Sequence, residues 1–420
     1  MQAVILAAGQ SSRFWPFNYR HKSLYRIMGR SLIWHTIESL RRAGVRDIIV
    51  VQGSKKDIEK EVKSYSFGAK IRYVIQSKPE GTGSALSRAK KLIKENFVLL
   101  GPHKIDLGDY LPLLFKKFKK DSRKPVLLGV KTAKPWDFGI LKFKGRKILK
   151  IEENPPKGKE PSSIKATEVY ILPSNFFDYY KRVPKGEANL ISAINLLIKE
   201  KGAEMILLKE KATSLKYPWE ILEANEYLLK KIKTKIGGKI DKNCKASGSL
   251  MVGKGSLLKN GTHIKGPVYI GKNCQIGPNC YIRDFTSIGD NCRIGNGVEI
   301  KNSIIGDNTN ISHLSYIGDS IIGENCNLGA GTITANIRFD RKTITSVVKK
   351  KLINTERRKL GCVLGNNTQT GINVSLMPGV LIGSDCLIGP SSLVMDNIGD
   401  RTIFYSKFKE IKEKKRKVSK

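Results

Sequence analysis

One histidine of this chain sits in a string whose residue types could do chemistry: His313-Leu314-Ser315-Tyr316-Ile317-Gly318-Asp319. It is followed by Gly329-Ala330-Gly331-Thr332-Ile333-Thr334-Ala335-Asn336. A neutral imidazole near pH 7 is suited to take a proton from an ammonium group, which transfer to an amine nitrogen requires. The other four histidines have plainer surroundings. His35 falls in an ordinary helix, His21 and His103 in loops, and His263 beside an early position of the repeat described below. A second constellation lies at the other end of the chain, in Leu6-Ala7-Ala8-Gly9-Gln10-Ser11-Ser12-Arg13. Small residues at Ala8 and Gly9 let backbone N–H groups approach a phosphate chain, and Arg13 can neutralise it. Lys22 follows at a distance suited to a second phosphate clamp. Gln76 and the turn Glu80-Gly81-Thr82-Gly83 then open a helix.

Two kinds of element must position these residues. From Ile264 an aliphatic residue recurs at Ile270, Ile276, Ile282, Ile288, Ile294 and Ile300. It continues one residue early through Ile305, Ile311 and Ile317, then again through Ile322 and Leu328. A six-residue period with glycine usually after the aliphatic predicts a hexapeptide β-helix. The ladder breaks after Ile333 and resumes at Leu364, Thr370, Leu376, Ile382, Ile388 and Val394. The segment between, 337–360, is too rich in Lys and Arg for a prism interior and must leave it as a loop. Residues 1–218 instead alternate short apolar runs with amphipathic stretches, as an α/β sheet does. A connecting helix over 219–238 follows, stopped at Gly237-Gly238, then the β-helix over 239–400 and a basic tail over 401–420.

Composition sets outer bounds. The chain has 420 residues, enough for two or three domains. No apolar run approaches ~18 residues, so no membrane span is expected. The chain starts directly as a strand, without a signal peptide, and is read as cytoplasmic. All seven cysteines lie at or beyond Cys244, and most stand two residues before a ladder aliphatic. That slot suits a small thiol, and the spacings fit neither zinc nor a disulfide framework. We assign no metal ligand. The formal charge of +39 favours polyanionic partners. The tail Lys407 to Lys417 is its densest block, but no nucleic-acid recognition motif accompanies it.

The N-terminal set, to about residue 230, resembles the sugar-1-phosphate nucleotidyltransferases. The resemblance implies a Rossmann-like fold that joins a nucleoside triphosphate, here UTP, to a sugar phosphate with Mg²⁺. Ala8, Gly9, Arg13, Lys22, Gln76, Gly81 and Thr82 would contact the nucleotide. The chain departs from the family in several places. Ser11 replaces a glycine at some cost in backbone freedom. Gly101-Pro102 stands where the family writes Gly-Asp, and Ser192 and Ser214 stand where acids are expected. Glu153-Asn154-Pro155 and Ala166-Thr167-Glu168 replace its sugar-binding strings. Mg²⁺ needs oxygen ligands that Pro and Ser do not supply as charge, so an inactive transferase domain is the expectation, with Mg²⁺ required only if it works.

From about Lys259 to Asp396 the chain looks like the acetyltransferase half of the bifunctional glucosamine-1-phosphate N-acetyltransferase / N-acetylglucosamine-1-phosphate uridylyltransferase family. The pieces that carry this are His313 to Asp319, Asn336 to Asp340, Arg357 to Gly361, and Thr370 to Gly379. The resemblance implies acetyl-CoA as acetyl donor and an amino-sugar 1-phosphate, most simply glucosamine 1-phosphate, as acceptor. His313 would be the base, Asn336 would orient the amine, and the Ala330 N–H would donate to the tetrahedral oxyanion. Arg283 and Lys301 replace the glycine after a ladder aliphatic and would clamp the sugar phosphate. Tyr316 and Asn327 would bind the sugar or its phosphate, and Lys342 matches a further family position. Arg357, Arg358 and Lys359 are candidates for the coenzyme A phosphates. A homotrimer is implied, with sites between neighbouring coils. Two rival expectations are a fully bifunctional enzyme that also makes UDP-N-acetylglucosamine, and a non-catalytic scaffold that binds RNA or nucleotide.

Overall fold

The computed structural model describes residues 1–184, 186, 189–209, 214–409 and 411–412. Of the tail block from Lys407 to Lys417, residue 410 and residues 413–417 therefore lie outside the described residues. The chain forms two compact units, Met1–Tyr227 and Leu228–Lys420, and no described helix is long and apolar enough to cross a membrane.

The first unit is built on a mixed sheet. From edge to edge its strands are Glu204–Leu208, Val126–Lys131, Ile164–Leu172, Phe97–Leu100, Gln2–Ala7, Asp47–Gln52 and Lys70–Ile75. Gln2–Ala7 pairs in parallel with both Phe97–Leu100 and Asp47–Gln52, and Ile164–Leu172 runs antiparallel between its neighbours. Alternate residues of the central strand enter opposite cores: Ala3, Ile5 and Ala7 face the helix Leu32–Arg42, while Val4 faces Thr82–Ala89. That two-sided burial explains why the central strands read as continuous apolar runs. Ser31 caps the first helix by accepting from the Trp34 N–H at 3.4 Å. The helix that opens at the Glu80–Gly83 turn is Thr82–Ala89, and it closes in a tighter turn at Lys90–Leu92. Gly83 in it admits no side chain, because a Cβ there would lie 1.7 Å from Asn189 Oδ1.

The second unit is a left-handed β-helix whose faces are three parallel sheets. Ile264, Ile282, Ile300 and Ile317 stack in register on one face, and Ile276, Ile294, Ile311 and Leu328 on the next. All are buried in one continuous core, each contributing about 1.5–3 kcal/mol of apolar burial. The first strand is Lys235–Ile236 and the last Ile403–Phe404, so the coils run a little beyond the limits 239–400 read from the isoleucine ladder. The outer coils are built from residues such as Lys245–Ser247, all exposed, which carry no apolar signal.

Two polar columns hold successive coils together. Asn273, Asn291, Asn308, Asn325 and Asn367 occupy one corner with φ between +54° and +59°. Each side-chain amide donates to the next along the stack, at 3.0–3.3 Å, and Asn367 Nδ2 donates to Asp385 Oδ1 at 2.8 Å. Asparagine tolerates this left-handed conformation better than most residues. In the second column Cys274, Cys292, Cys326 and Cys386 are buried free thiols whose Sγ donates to a glycine carbonyl of the next coil at 3.0–3.2 Å. Thr309 and Thr368 do the same through Oγ1 at 2.9 Å.

The predicted loop leaves the prism cleanly. The Leu360 N–H donates to the Asn336 carbonyl at 3.0 Å and the Gly361 N–H to the Asp319 carbonyl at 2.9 Å, closing the base. Within it Thr345–Val348 and Lys351–Asn354 form an antiparallel hairpin. Beyond the loop the stack continues in register, with Leu328 against Thr370 and Ile322 against Leu364.

Candidate active sites

On the β-helix, His313 ends the strand Asn310–His313 and is exposed. The strand pairs Asn296 with His313, and Ile311 with Leu328, so Ala330 lies one coil further along from the histidine. Gly331 beside Ala330 has φ +74°, and a Cβ there would meet Asn373 Oδ1 at 2.3 Å. This crowding explains the glycine-rich turn. Around the corner from His313, on Tyr316–Gly318, a network closes on Asp319, a nearly fully buried carboxylate. Asn336 Nδ2 donates to Asp319 Oδ2 at 2.6 Å and to Tyr316 Oη at 3.2 Å. Asn302 Nδ2 donates to Asp319 Oδ1 at 2.6 Å, and Lys301 Nζ lies 3.7 Å from Oδ2. Burial raises the Tyr316 phenol above its usual pKa, although Lys301 opposes this. The phenol is therefore a neutral hydrogen-bonding group at pH 7.

Arg283 and Lys301 are register partners on adjacent coils. Both are already engaged with carboxylates: Arg283 Nε with Glu299 Oε1 at 2.9 Å and Nη1 with Asp284 Oδ2 at 3.1 Å, and Lys301 with Asp319. The structure thus brings Lys301, Tyr316 and Asn336 together, with Arg283 one coil away. Asn327 lies on the neighbouring sheet, between Asn310 and Gln369. Lys342 sits in the excursion, where its backbone N–H donates to Asp340 Oδ1 at 3.1 Å. Arg358 and Lys359 are exposed, and Arg357 is half-buried. Arg358 Nε donates to the Arg341 carbonyl, and Arg357 Nε to that of Lys359, each at 3.3 Å. These three cations suit the phosphates of a nucleotide-like donor such as acetyl-CoA. Asp319, Asn302 and Glu299 were not singled out from sequence. Their partners on neighbouring coils stand 16 to 18 residues away along the chain, and only the coil repeat makes that separation a contact.

In the first unit a cleft of about 320 Å³ is lined by Arg13, Lys22, Lys104, Glu153, Glu168 and Ser214 among others. The loop before it turns at Ser11, whose φ of +55° is the left-handed conformation a glycine would adopt freely. Ser11 Oγ accepts the Lys22 N–H at 3.0 Å. Lys22 Nζ donates to the Leu215 carbonyl. Burial lowers its ammonium pKa, with Glu168 opposing. Gln76 and Gly81 are joined by Nε2 to the carbonyl at 3.2 Å. With Ala8, Gly9 and Thr82 they lie outside the cleft lining. Glu168 crowds the turn at Gly101, where a Cβ would be 2.8 Å from its Oε2. Burial, with Glu168 nearby, raises the Glu153 carboxyl pKa.

The cleft tests the fit of Mg²⁺. Pro102 is buried at the turn and Ser214 lines the wall. The carboxylates present, Asp137, Glu153 and Glu168, share the wall with Arg13, Lys22, Lys104, Lys165 and Lys216. Among the described residues no three His, Cys, Asp or Glu side chains converge. Mg²⁺ seeks carboxylate oxygen in a near-octahedral shell, and this cationic donor set does not fit it.

A mixed-sheet nucleotidyltransferase unit followed by a hexapeptide β-helix defines the class, and the comparisons agree. The family described as nucleotidyl transferase matches residues 2–220, the GMPPB C-terminal domain residues 264–376, and the bacterial transferase hexapeptide residues 361–395. The chain is 38% identical over 427 residues to the bifunctional protein GlmU of Methanococcus maripaludis strain C7, covering 99% of this chain and 100% of that one. It is 37% identical to GlmU of Methanocaldococcus jannaschii, covering 97% and 98%. It is 36% identical to the bifunctional sugar-1-phosphate nucleotidylyltransferase/acetyltransferase of Sulfurisphaera tokodaii, covering 95% and 98%. The chain belongs to this GlmU family of bifunctional transferases. A solved putative glucose-1-phosphate thymidylyltransferase from Bacillus anthracis shares the fold of the first unit, with 24% identity, a TM-score of 0.50, and coverage of 56% of this chain and 97% of that one.

Proposed function

We propose that the β-helix transfers the acetyl group of acetyl-CoA to the amine of an amino-sugar 1-phosphate, glucosamine 1-phosphate being the simplest acceptor. The observation that carries this reading is the convergence of Asn336, Tyr316 and Lys301 on the buried Asp319, round the corner from an exposed histidine. In this reading His313 takes the ammonium proton as the nitrogen attacks. Asn336, held by Asp319 and Tyr316, orients the amine, and the Ala330 N–H receives the oxyanion. Arg283 and Lys301 receive the sugar phosphate by exchanging their carboxylate partners for it. Arg357, Arg358 and Lys359 hold the donor's phosphates, and a homotrimer completes the site. His313→Ala should lower turnover by about 10²–10⁴-fold while the assembly stays intact by light scattering. Free thiol release from acetyl-CoA with glucosamine 1-phosphate reads it, and unchanged turnover would remove His313 from the mechanism.

A second reading adds nucleotidyl transfer, UTP with N-acetylglucosamine 1-phosphate giving UDP-N-acetylglucosamine. The full-length relatives named bifunctional favour it over an idle first unit. Release of pyrophosphate from these two substrates is its test, run with and without Mg²⁺. The non-catalytic scaffold has no observation in its favour.

A further inference from the structure

The β-helix face that carries Lys301 and Tyr316 continues past them toward the first coils. Two outward rows run along it in register. One is Lys245, His263, Tyr281, Glu299 and Tyr316, and the other is Ser247, Lys265, Arg283 and Lys301. Ile264, Ile282 and Ile300 alternate with them and point into the core, so both rows lie on one outer surface. Arg283 is held by Glu299 and Asp284, and Lys301 by Asp319. Lys265 is exposed and forms no ion pair among the described residues. Beside it the Tyr281 ring is 38% exposed, with the Arg283 guanidinium 5.3 Å from its centroid, and His263 is exposed too. Successive coils are about 4.8 Å apart. Lys265 and Lys301 are therefore separated by roughly 10 Å of backbone, more than one phosphate group bridges. A sugar monophosphate held by Arg283 and Lys301 leaves Lys265, Tyr281 and His263 without a role.

We propose that this face also accepts a nucleoside diphosphate amino sugar as the substrate of acetyl transfer. The amino sugar occupies the place of glucosamine 1-phosphate beside Tyr316 and Asn336. The sugar-side phosphate lies on Lys301 and Arg283 and the second phosphate on Arg283 and Lys265, where the cations serve as charge partners. The base stacks on Tyr281, a contact open to any base because each has a π-face. The bond chemistry is that of the monophosphate: the amine nitrogen bonds to the acetyl carbon as the C–S bond breaks. Of the two protons the ammonium loses, one protonates the departing thiolate and the other leaves to solvent, while the diphosphate is untouched. The inference rests on the reading that the β-helix acetylates an amino-sugar 1-phosphate. It makes acetylation possible after nucleotidyl transfer as well as before it. Solvent-exposed cations hold little on their own, so a free nucleotide without the amino sugar has weak purchase here.

The test is steady-state acetylation by the full chain of glucosamine 1-phosphate and, separately, of UDP-glucosamine. Thiol release gives the rate, and the mass of the product shows that the diphosphate is intact. EDTA is present and pyrophosphate absent, so that the two acceptors are not interconverted by nucleotidyl transfer. Both acceptors should be turned over. Lys265→Met and Tyr281→Ala should each lower kcat/KM for UDP-glucosamine by about three- to tenfold, mainly through KM, the loss of one contact at an open surface. Both variants should leave glucosamine 1-phosphate within about twofold, and Lys265→Arg should behave as wild type. Equal melting temperatures show that the variants fold. Turnover of glucosamine 1-phosphate alone would overturn this proposal and leave the acetyltransferase reading standing, whereas turnover of neither acceptor would remove both. Variants that change both acceptors equally, or neither, would also overturn it, because the outer coils would then not distinguish the diphosphate.

Discussion

At Asp319 a carboxylate that is 2% exposed is held by Asn302, Asn336 and Lys301, in a backbone conformation with φ +50°. Removing it leaves Lys301 without its counter-charge and places alanine where an L side chain is strained. Asp319→Ala should therefore cost about 3–5 kcal/mol, read as a fall in the denaturation midpoint of the β-helix. A loss below ~1 kcal/mol would make the network a surface feature. Two half-buried histidines of the first unit, His21 and His35, act on stability in another way. Burial depresses both His21 and His35 to a pKa of about 4, against about 6.5 in the unfolded chain. Between those values the unfolded chain binds the extra protons, so stability is full above pH 6.5 and falls as pH drops toward 4. Melting temperatures between pH 7 and pH 4 should decline accordingly, and His35→Gln should flatten the decline. The string around His313 stands out by its residue types, and its role is what the family resemblance implies. The partners of Asn336 could not be read in this way, because Asp319 becomes a neighbour only through the coil repeat.

Among the elements, the interior aliphatic ladder was legible because a solenoid core demands one apolar side chain per rung, and nothing else in the chain has that period. The cysteine slots were legible as small-residue positions, though their donation to the next coil's carbonyl was not. The asparagine corner was missed. Its residues look like ordinary turn formers, and their meaning lies in a left-handed φ combined with a side-chain relay between coils. Asn308 lies in the middle of that relay. Asn308→Ala should lower stability by about 2 kcal/mol, from the left-handed backbone and the lost bonds together. Asn308→Gly should recover the backbone share, and equal melting temperatures for the two would show that conformation contributes nothing. In the first unit, strands and helices followed their apolar periods, whereas the cleft wall came from Lys22, Lys104 and Glu168, which lie far apart in sequence.

For the whole molecule, two compact units of different construction should unfold as two calorimetric transitions rather than one. Saturating UTP should raise only the transition of the first unit, and a single merged transition moved by UTP would show the units to be energetically inseparable. The overall division was legible because hydrophobic periodicity changes along the chain. The charge of +39 was legible only as a bulk quantity, and part of it proves to line one cleft. The seam at Asn336 and Leu360 has a broader consequence. A stack that resumes its phase after an excursion does not register the excursion's length, so the prism behaves as a rail on which the inserted segment is an exchangeable fitting. Changes of donor or acceptor preference can then accumulate between those two residues, by insertion, deletion or grafting, without the fold having to be found anew.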